Sequence, residues 1–139
     1  MIVVDASFAY ALLDDTDEGH RAARSWYERP HADLVTTPLV LAEVDHLTAT
    51  RLGQAARSAF LDDVASGGYQ IEWWASASAS SVQIAQKYLD LGVSLTDASL
   101  VALASRVETT SIATFDERHF RAMQPLTGRP AFTLLPADA

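Results

Sequence analysis

Three short apolar runs, Ile2-Val3-Val4, Leu34-Val35-Thr36 and Ser111-Ile112-Ala113-Thr114, stand well apart along the chain. Each is too short for a buried helix and suits a strand covered on both faces. The stretches between them carry helical patterning, and a strand that returns to the sheet through a helix makes a crossover, which sets the strands parallel. The expected fold is therefore α/β: a three-layer α/β/α arrangement around a mainly parallel sheet of about four to five strands. No internal repeat, linker or low-complexity segment divides the chain, so residues 1–139 are expected to form a single domain.

The punctuation supports this order of elements. Ala6 to Leu13 continues from the first strand as a helix, and the acidic cluster Asp14-Asp15-Thr16-Asp17-Glu18 is expected to start a second helix reaching about Tyr27. Acidic residues at a helix start follow from capping and the macrodipole, which gives this cluster a structural role. Pro38 opens the helix bearing LVLAEVDHLTA, and Gly53 separates it from another over Gln54 to Ala65, closed by Gly67-Gly68. A strand over Tyr69 to Trp74 and a helix over Ser76 to Leu89 follow, with Gly92 beyond it. Ser94 or Thr96 then begins the helix carrying DASLVALASRV, and Phe132 to Leu135 is the last expected strand.

Composition narrows the function. At 139 residues and 49% hydrophobic, the chain is large enough to bury a core without covalent staples. The absence of cysteine removes disulfides and thiolate metal sites and suits a reducing cytoplasm, the expected location. The first apolar run is broken by Asp5 and lacks a basic leader, and no window supplies the roughly 20 apolar residues of a membrane span. A net charge of −8 excludes holding nucleic acid by broad phosphate neutralisation. A nucleic-acid partner would need a local basic rim or metal ions.

Four carboxylates stand where the pattern calls for apolar or capping residues. Asp5 and Asp116 follow predicted strands directly, at the edge where parallel sheets bind ligands. At 100° per residue Glu43 shares a helix face with Leu39, Val40 and Leu47, while Asp45 points nearly opposite, so Glu43 is expected on the core side. Asp97 begins the series Asp97, Leu100, Val101, Ala104, the spacing of a buried face. Each taken alone is accounted for by helix capping or by a bend outward to water. Together they repel: two carboxylates 5 Å apart cost roughly 3 kcal/mol at an effective dielectric of 20. Either some are neutral or a cation sits among them. Oxygen donors without cysteine or paired histidines favour a hard ion, Mg²⁺ or Mn²⁺, with Asp5 as a ligand. His20, His31, His46 and His119 show no metal spacing and are assigned surface or loop roles, with His119 near enough to Asp116 to touch the site.

The segments VVDAS, LAEVDHL, SLTDASL, TFDERHF and the terminal FTLLP occur in this order across nearly the whole chain. In that order they resemble the PIN-domain ribonucleases, and most of all the toxins of VapC-type toxin–antitoxin pairs. The resemblance implies that Asp5, Glu43, Asp97 and Asp116 form an acidic catalytic and metal-binding site. It implies that Ser7, Thr96 and Thr114 support the acids or bind water. It further implies Mg²⁺- or Mn²⁺-dependent cleavage of structured RNA of translation (tRNA or rRNA loops), a homodimer, and a cognate VapB-type antitoxin that blocks the groove. Arg118 and Arg121, close to Asp116 in sequence, are the first expected RNA contacts. With an acidic chain this predicts weak, salt- and metal-dependent RNA affinity.

Two other readings are weaker. A phosphatase of the haloacid dehalogenase type also has an aspartate after its first strand, but needs a second acid two residues on, where this chain has Ser7. A PIN-like protein that only binds would be marked by loss of an acid, and all four are present.

Overall fold

β1 (Ile2–Val4) is buried along its whole length and forms the middle of a sheet ordered β3-β2-β1-β4-β5. β2 (Leu34–Thr36) and β4 (Ser111–Ala113) flank it, with β3 (Gln70–Ile71) and β5 (Thr133–Leu135) at the edges, and every pairing is parallel. The structure, a computed structural model, describes all of residues 1–139. The chain moves outward from β1 to β2 to β3, then returns to place β4 on the other side of β1. The strand order thus reverses between β1 and β4, and at such a switch point a crevice opens beyond the C-terminal strand ends.

Seven helices surround the sheet: α1 (Ala6–Leu13), α2 (His20–Tyr27), α3 (Pro38–Arg51), α4 (Gln54–Ala65), α5 (Ala77–Lys87), α6 (Leu95–Arg106) and α7 (Glu117–Ala122). They complete the three-layer α/β/α arrangement expected from the sequence. α6 is buried from Ala98 through Ala104 and rests on β1 and α5, as its apolar run requires. Phe8, Leu100, Leu103, Ile112, Phe120 and Leu134 fill the centre of the core. No helix is long and apolar enough to cross a membrane.

Three local expectations need correction. The acidic cluster does not start α2: the helix begins at His20 after Gly19, and Asp14 instead ends α1 as its buried C-cap. Asp14 is held there by Tyr10 Oη, Thr16 Oγ1 and the Thr16 amide, and Asp17 accepts the Gly19 amide, so both acids build the turn between the helices. The edge strand β3 spans only Gln70–Ile71, because it pairs on one side and both residues are exposed. On α3 the buried stripe is Val40, Val44 and Thr48. Thr48 is accommodated there because its hydroxyl folds back to the Val44 carbonyl at 2.6 Å, and the core face runs one position beyond Glu43.

Phe115, between Thr114 and Asp116, stacks on Phe8 with ring centroids 6.1 Å apart. Gly19 closes over its other side: a Cβ there would lie 2.8 Å from the Phe115 ring. Gly19→Ala is therefore expected to displace the ring and lower unfolding stability by about 1–3 kcal/mol, measured by chemical denaturation.

Candidate active site

Asp5 ends β1 and is 3% exposed. Its backbone has the geometry of an N-cap for α1, yet its side chain makes no capping bond. Instead Ser7 Oγ and Thr114 Oγ1 each donate to Asp5 Oδ2 at 2.7 Å. The same hydroxyls accept from the loop beyond β4, Ser7 from the Phe115 amide at 2.9 Å and Thr114 from the Asp116 amide at 2.9 Å. One carboxylate and two hydroxyls thus stitch the ends of β1 and β4 together across the switch point. Burial still pushes the Asp5 carboxyl up, against the pull of both hydroxyls, and the nearby Asp116 charge adds to the rise.

The other acids arrive from separate elements. Ser94 caps α6 by accepting the Asp97 amide at 3.0 Å, which leaves the Asp97 carboxylate to face the crevice in the first helical turn. Asp116 caps α7 by accepting the His119 amide with Oδ1. Glu43 stands on α3, whose start is tied to α6 where Thr37 Oγ1 meets Ser99 Oγ at 3.0 Å, both fully buried. Asp5, Glu43, Asp97 and Asp116 line one open cleft of about 380 Å³, together with Ser7, Tyr10, Asp17, Leu47, Arg51 and His119.

The charges in this cleft act on one another. Asp97 is pushed up to about 6, first by burial and then by the Asp5 and Asp116 charges. Glu43 is an exposed residue, but partial burial of its carboxyl raises it, with Asp5 and Asp97 adding to the effect. The tightest group is Asp97, Asp116 and His119, whose ligand atoms lie within 4.8 Å of one another. His119 Nδ1 lies 2.9 Å from Asp116 Oδ2 and 3.4 Å from Asp97 Oδ2, and Nε2 lies 3.1 Å from the Leu91 carbonyl. A carbonyl only accepts, so Nε2–H donates to Leu91. The opposite contact then needs a proton on Nδ1 or on a carboxylate. Two carboxylates and an imidazole at this spacing are a donor set fit for a divalent cation.

The PIN domain family matches residues 2–124 of this sequence. The chain belongs to the PIN-domain family. Ribonuclease VapC26 of Mycobacterium tuberculosis (strain ATCC 25618 / H37Rv) is 35% identical over 136 residues, which is 97% of this chain and 100% of that protein. The crystal structure of Mycobacterium tuberculosis VapC20, described as a sarcin-ricin loop cleaving toxin, superposes with a TM-score of 0.75 at 26% identity, covering 84% of this chain and 90% of that one. FitAcB from Neisseria gonorrhoeae shares the fold with a TM-score of 0.62 at 18% identity, covering 86% of this chain and 91% of that one. This PIN domain is thus a homologue of VapC ribonuclease toxins along its whole length.

Within the PIN domain, all four predicted acids face the same cleft, as do Ser7 and, through its bond to Asp5, Thr114. Thr96 stands outside this network: its carbonyl accepts from Ser99 Oγ at 2.6 Å, and its hydroxyl reaches none of the acids. Arg121 is committed to Glu117 at 2.6 Å and Asp138 at 2.8 Å, and neither it nor the exposed Arg118 lines the cleft. His119 is the cleft residue that sequence spacing undervalued. Its one signal was the i, i+3 relation to Asp116, which places both at the start of a single short helix.

The raised Asp97 carboxyl predicts a pH effect with a definite sign. Between its ordinary value of 3.8 and about 6 the folded chain binds more protons than the unfolded one. Stability therefore falls as pH rises through that window, and the penalty is complete above it. In EDTA, Asp97→Asn is expected to shrink the loss of unfolding free energy between pH 4 and pH 7.5 by up to about 3 kcal/mol, read from urea melts. Identical pH profiles for the two proteins would contradict the assignment.

Proposed function

We propose that this chain is a metal-dependent endoribonuclease toxin that cuts structured RNA of the translation machinery and is restrained by a cognate VapB-type antitoxin. The observation that carries this reading is the convergence of Asp5, Glu43, Asp97 and Asp116 on one cleft at the switch point of the sheet. The likeness to a ribonuclease over 97% of the chain supports it. The substrate class rests on VapC20, named for cleaving the sarcin-ricin loop, which favours an rRNA or tRNA loop here.

Asp97 and Asp116 would hold a Mg²⁺ or Mn²⁺ ion, with Asp5 completing the anionic floor, and the ion would supply Lewis acidity toward the phosphate and toward a water. Asp5 contributes a carboxylate whose direction is fixed in advance by Ser7 and Thr114. Glu43, on the opposite wall, orients the attacking water and takes its proton, a role its raised pKa suits. Arg118, exposed and in no ion pair, is an RNA contact beyond the cleft lining. A basic antitoxin side chain entering the cleft would satisfy the same carboxylates. A homodimer is the expected assembly, and Leu89, Leu91 and Leu95, exposed and close in sequence, are the apolar side chains offered to a second copy.

The test is cleavage of total cellular RNA by the purified chain with Mg²⁺ or Mn²⁺, with new 5′ ends mapped. Asp5→Asn, Glu43→Gln, Asp97→Asn and Asp116→Asn are each expected to lose on the order of 100-fold or more in rate, and Ser7→Ala roughly 10-fold. Full activity in all four acid variants would refute the site.

A further inference from the structure

Arg51 is the last residue of α3, at the end of the row Glu43, Leu47, Arg51, whose members are four residues apart and all line the cleft. At 1.5 Å per residue it stands roughly 12 Å along the helix from Glu43. It is the only lysine or arginine on the cleft wall. Its guanidinium lies 5.4 Å from the centroid of the Tyr10 ring. Tyr10 is a fixed platform: it is 4% exposed, and its hydroxyl donates to Asp14 Oδ2 at 2.7 Å.

Arg51 forms no ion pair. The arginines bound to carboxylates are Arg24, Arg57 and Arg121, all away from the cleft. The guanidinium shares a cleft with Asp5, Asp17, Glu43, Asp97 and Asp116 and pairs with none of their carboxylates; its polar neighbour is the Tyr10 phenol, and most of its five donors remain for an incoming anion. Its planar fork matches two phosphate oxygens, and stacking on Tyr10 removes much of the side-chain freedom that such a bond would otherwise cost. Phosphate contacts of this kind set the register of a nucleic acid without reading its bases.

Resting on the ribonuclease reading of the cleft, we propose that Arg51, aimed by Tyr10, binds an RNA backbone phosphate flanking the scissile one and so sets the register in which the strand crosses the acids. The competing role is purely structural, because a cation in the last turn of a helix also favours its exposed carbonyls.

The experiment compares the parent with Arg51→Ala and Arg51→Lys on a fluorescein-labelled RNA stem-loop with a single-stranded loop, in the presence of Mg²⁺ or Mn²⁺. Cleavage is followed in the parent background, and binding is followed by anisotropy against KCl in an Asp97→Asn background. Arg51→Ala is expected to raise KM and Kd roughly 10-fold or more while kcat changes by less than about twofold. The slope of log affinity against log salt should become shallower by about 0.7. Arg51→Lys keeps the charge, so it should retain the slope and recover part of the affinity. An unchanged KM and salt slope in Arg51→Ala would overturn the proposal, as would a lower melting temperature with RNA binding intact. If the parent binds RNA without cutting it, the ribonuclease reading fails and the salt slope still decides the role of Arg51. If the parent cuts and Arg51→Ala matches it, Arg51 alone is wrong, and a parent that neither binds nor cuts overturns both.

Discussion

The two hydroxyls on Asp5 Oδ2 are the joint on which the cleft depends. A carboxylate buried to this degree has lost most of its hydration, and an unpaired charge there would cost several kcal/mol. Ser7 and Thr114 replace part of that water, and in doing so they fasten the loop after β4 to the start of α1. The same two residues therefore do electrostatic and architectural work. Without them Asp5 would have reason to turn away from the crevice, and Asp116 would lose the bond that fixes its amide.

Around this joint the remaining acids are held by means that keep them on the cleft. Asp97 is placed by its backbone amide on Ser94, Asp116 by Oδ1 on the His119 amide and Oδ2 beside His119 Nδ1, and Glu43 by the rigidity of α3 and the buried Thr37–Ser99 contact. Capping and cleft-lining are thus compatible roles here, not alternatives. Burial, and after it the mutual repulsion of the acids, raises the carboxyls of Asp5, Glu43 and Asp97. His119 Nδ1 lies between Asp116 and Asp97, 2.9 Å from Asp116 Oδ2 and 3.4 Å from Asp97 Oδ2.

What was legible in the sequence follows from how strongly each feature breaks a pattern. The inner strands were readable because burial on both faces forces unbroken apolar runs, whereas β3, paired on one side only, was drawn too long. Asp97 was readable only together with the other acids, because an acid in a first helical turn is by itself explained by the helix dipole. The face shared by Leu39, Val40 and Leu47 predicts a core side for Glu43, whereas the buried row is Val40, Val44 and Thr48, and the bond that lets Thr48 join it is invisible without coordinates. His119 lies in a helix of six residues, too short to show periodicity. Arg121 shows how proximity in sequence misleads: its i, i+4 partner Glu117 was visible, and it is that partner, with Asp138, that holds it.

The bond from Thr114 to Asp5 joins points 109 residues apart. The strands that meet there are the first and the fourth, so the innermost contact of the cleft is also among the last that a growing polypeptide can make. While its own synthesis continues, a chain of this design therefore carries scattered acidic side chains and no assembled pocket. Competence arrives abruptly, when the final quarter has left the ribosome and β4 slots in beside β1.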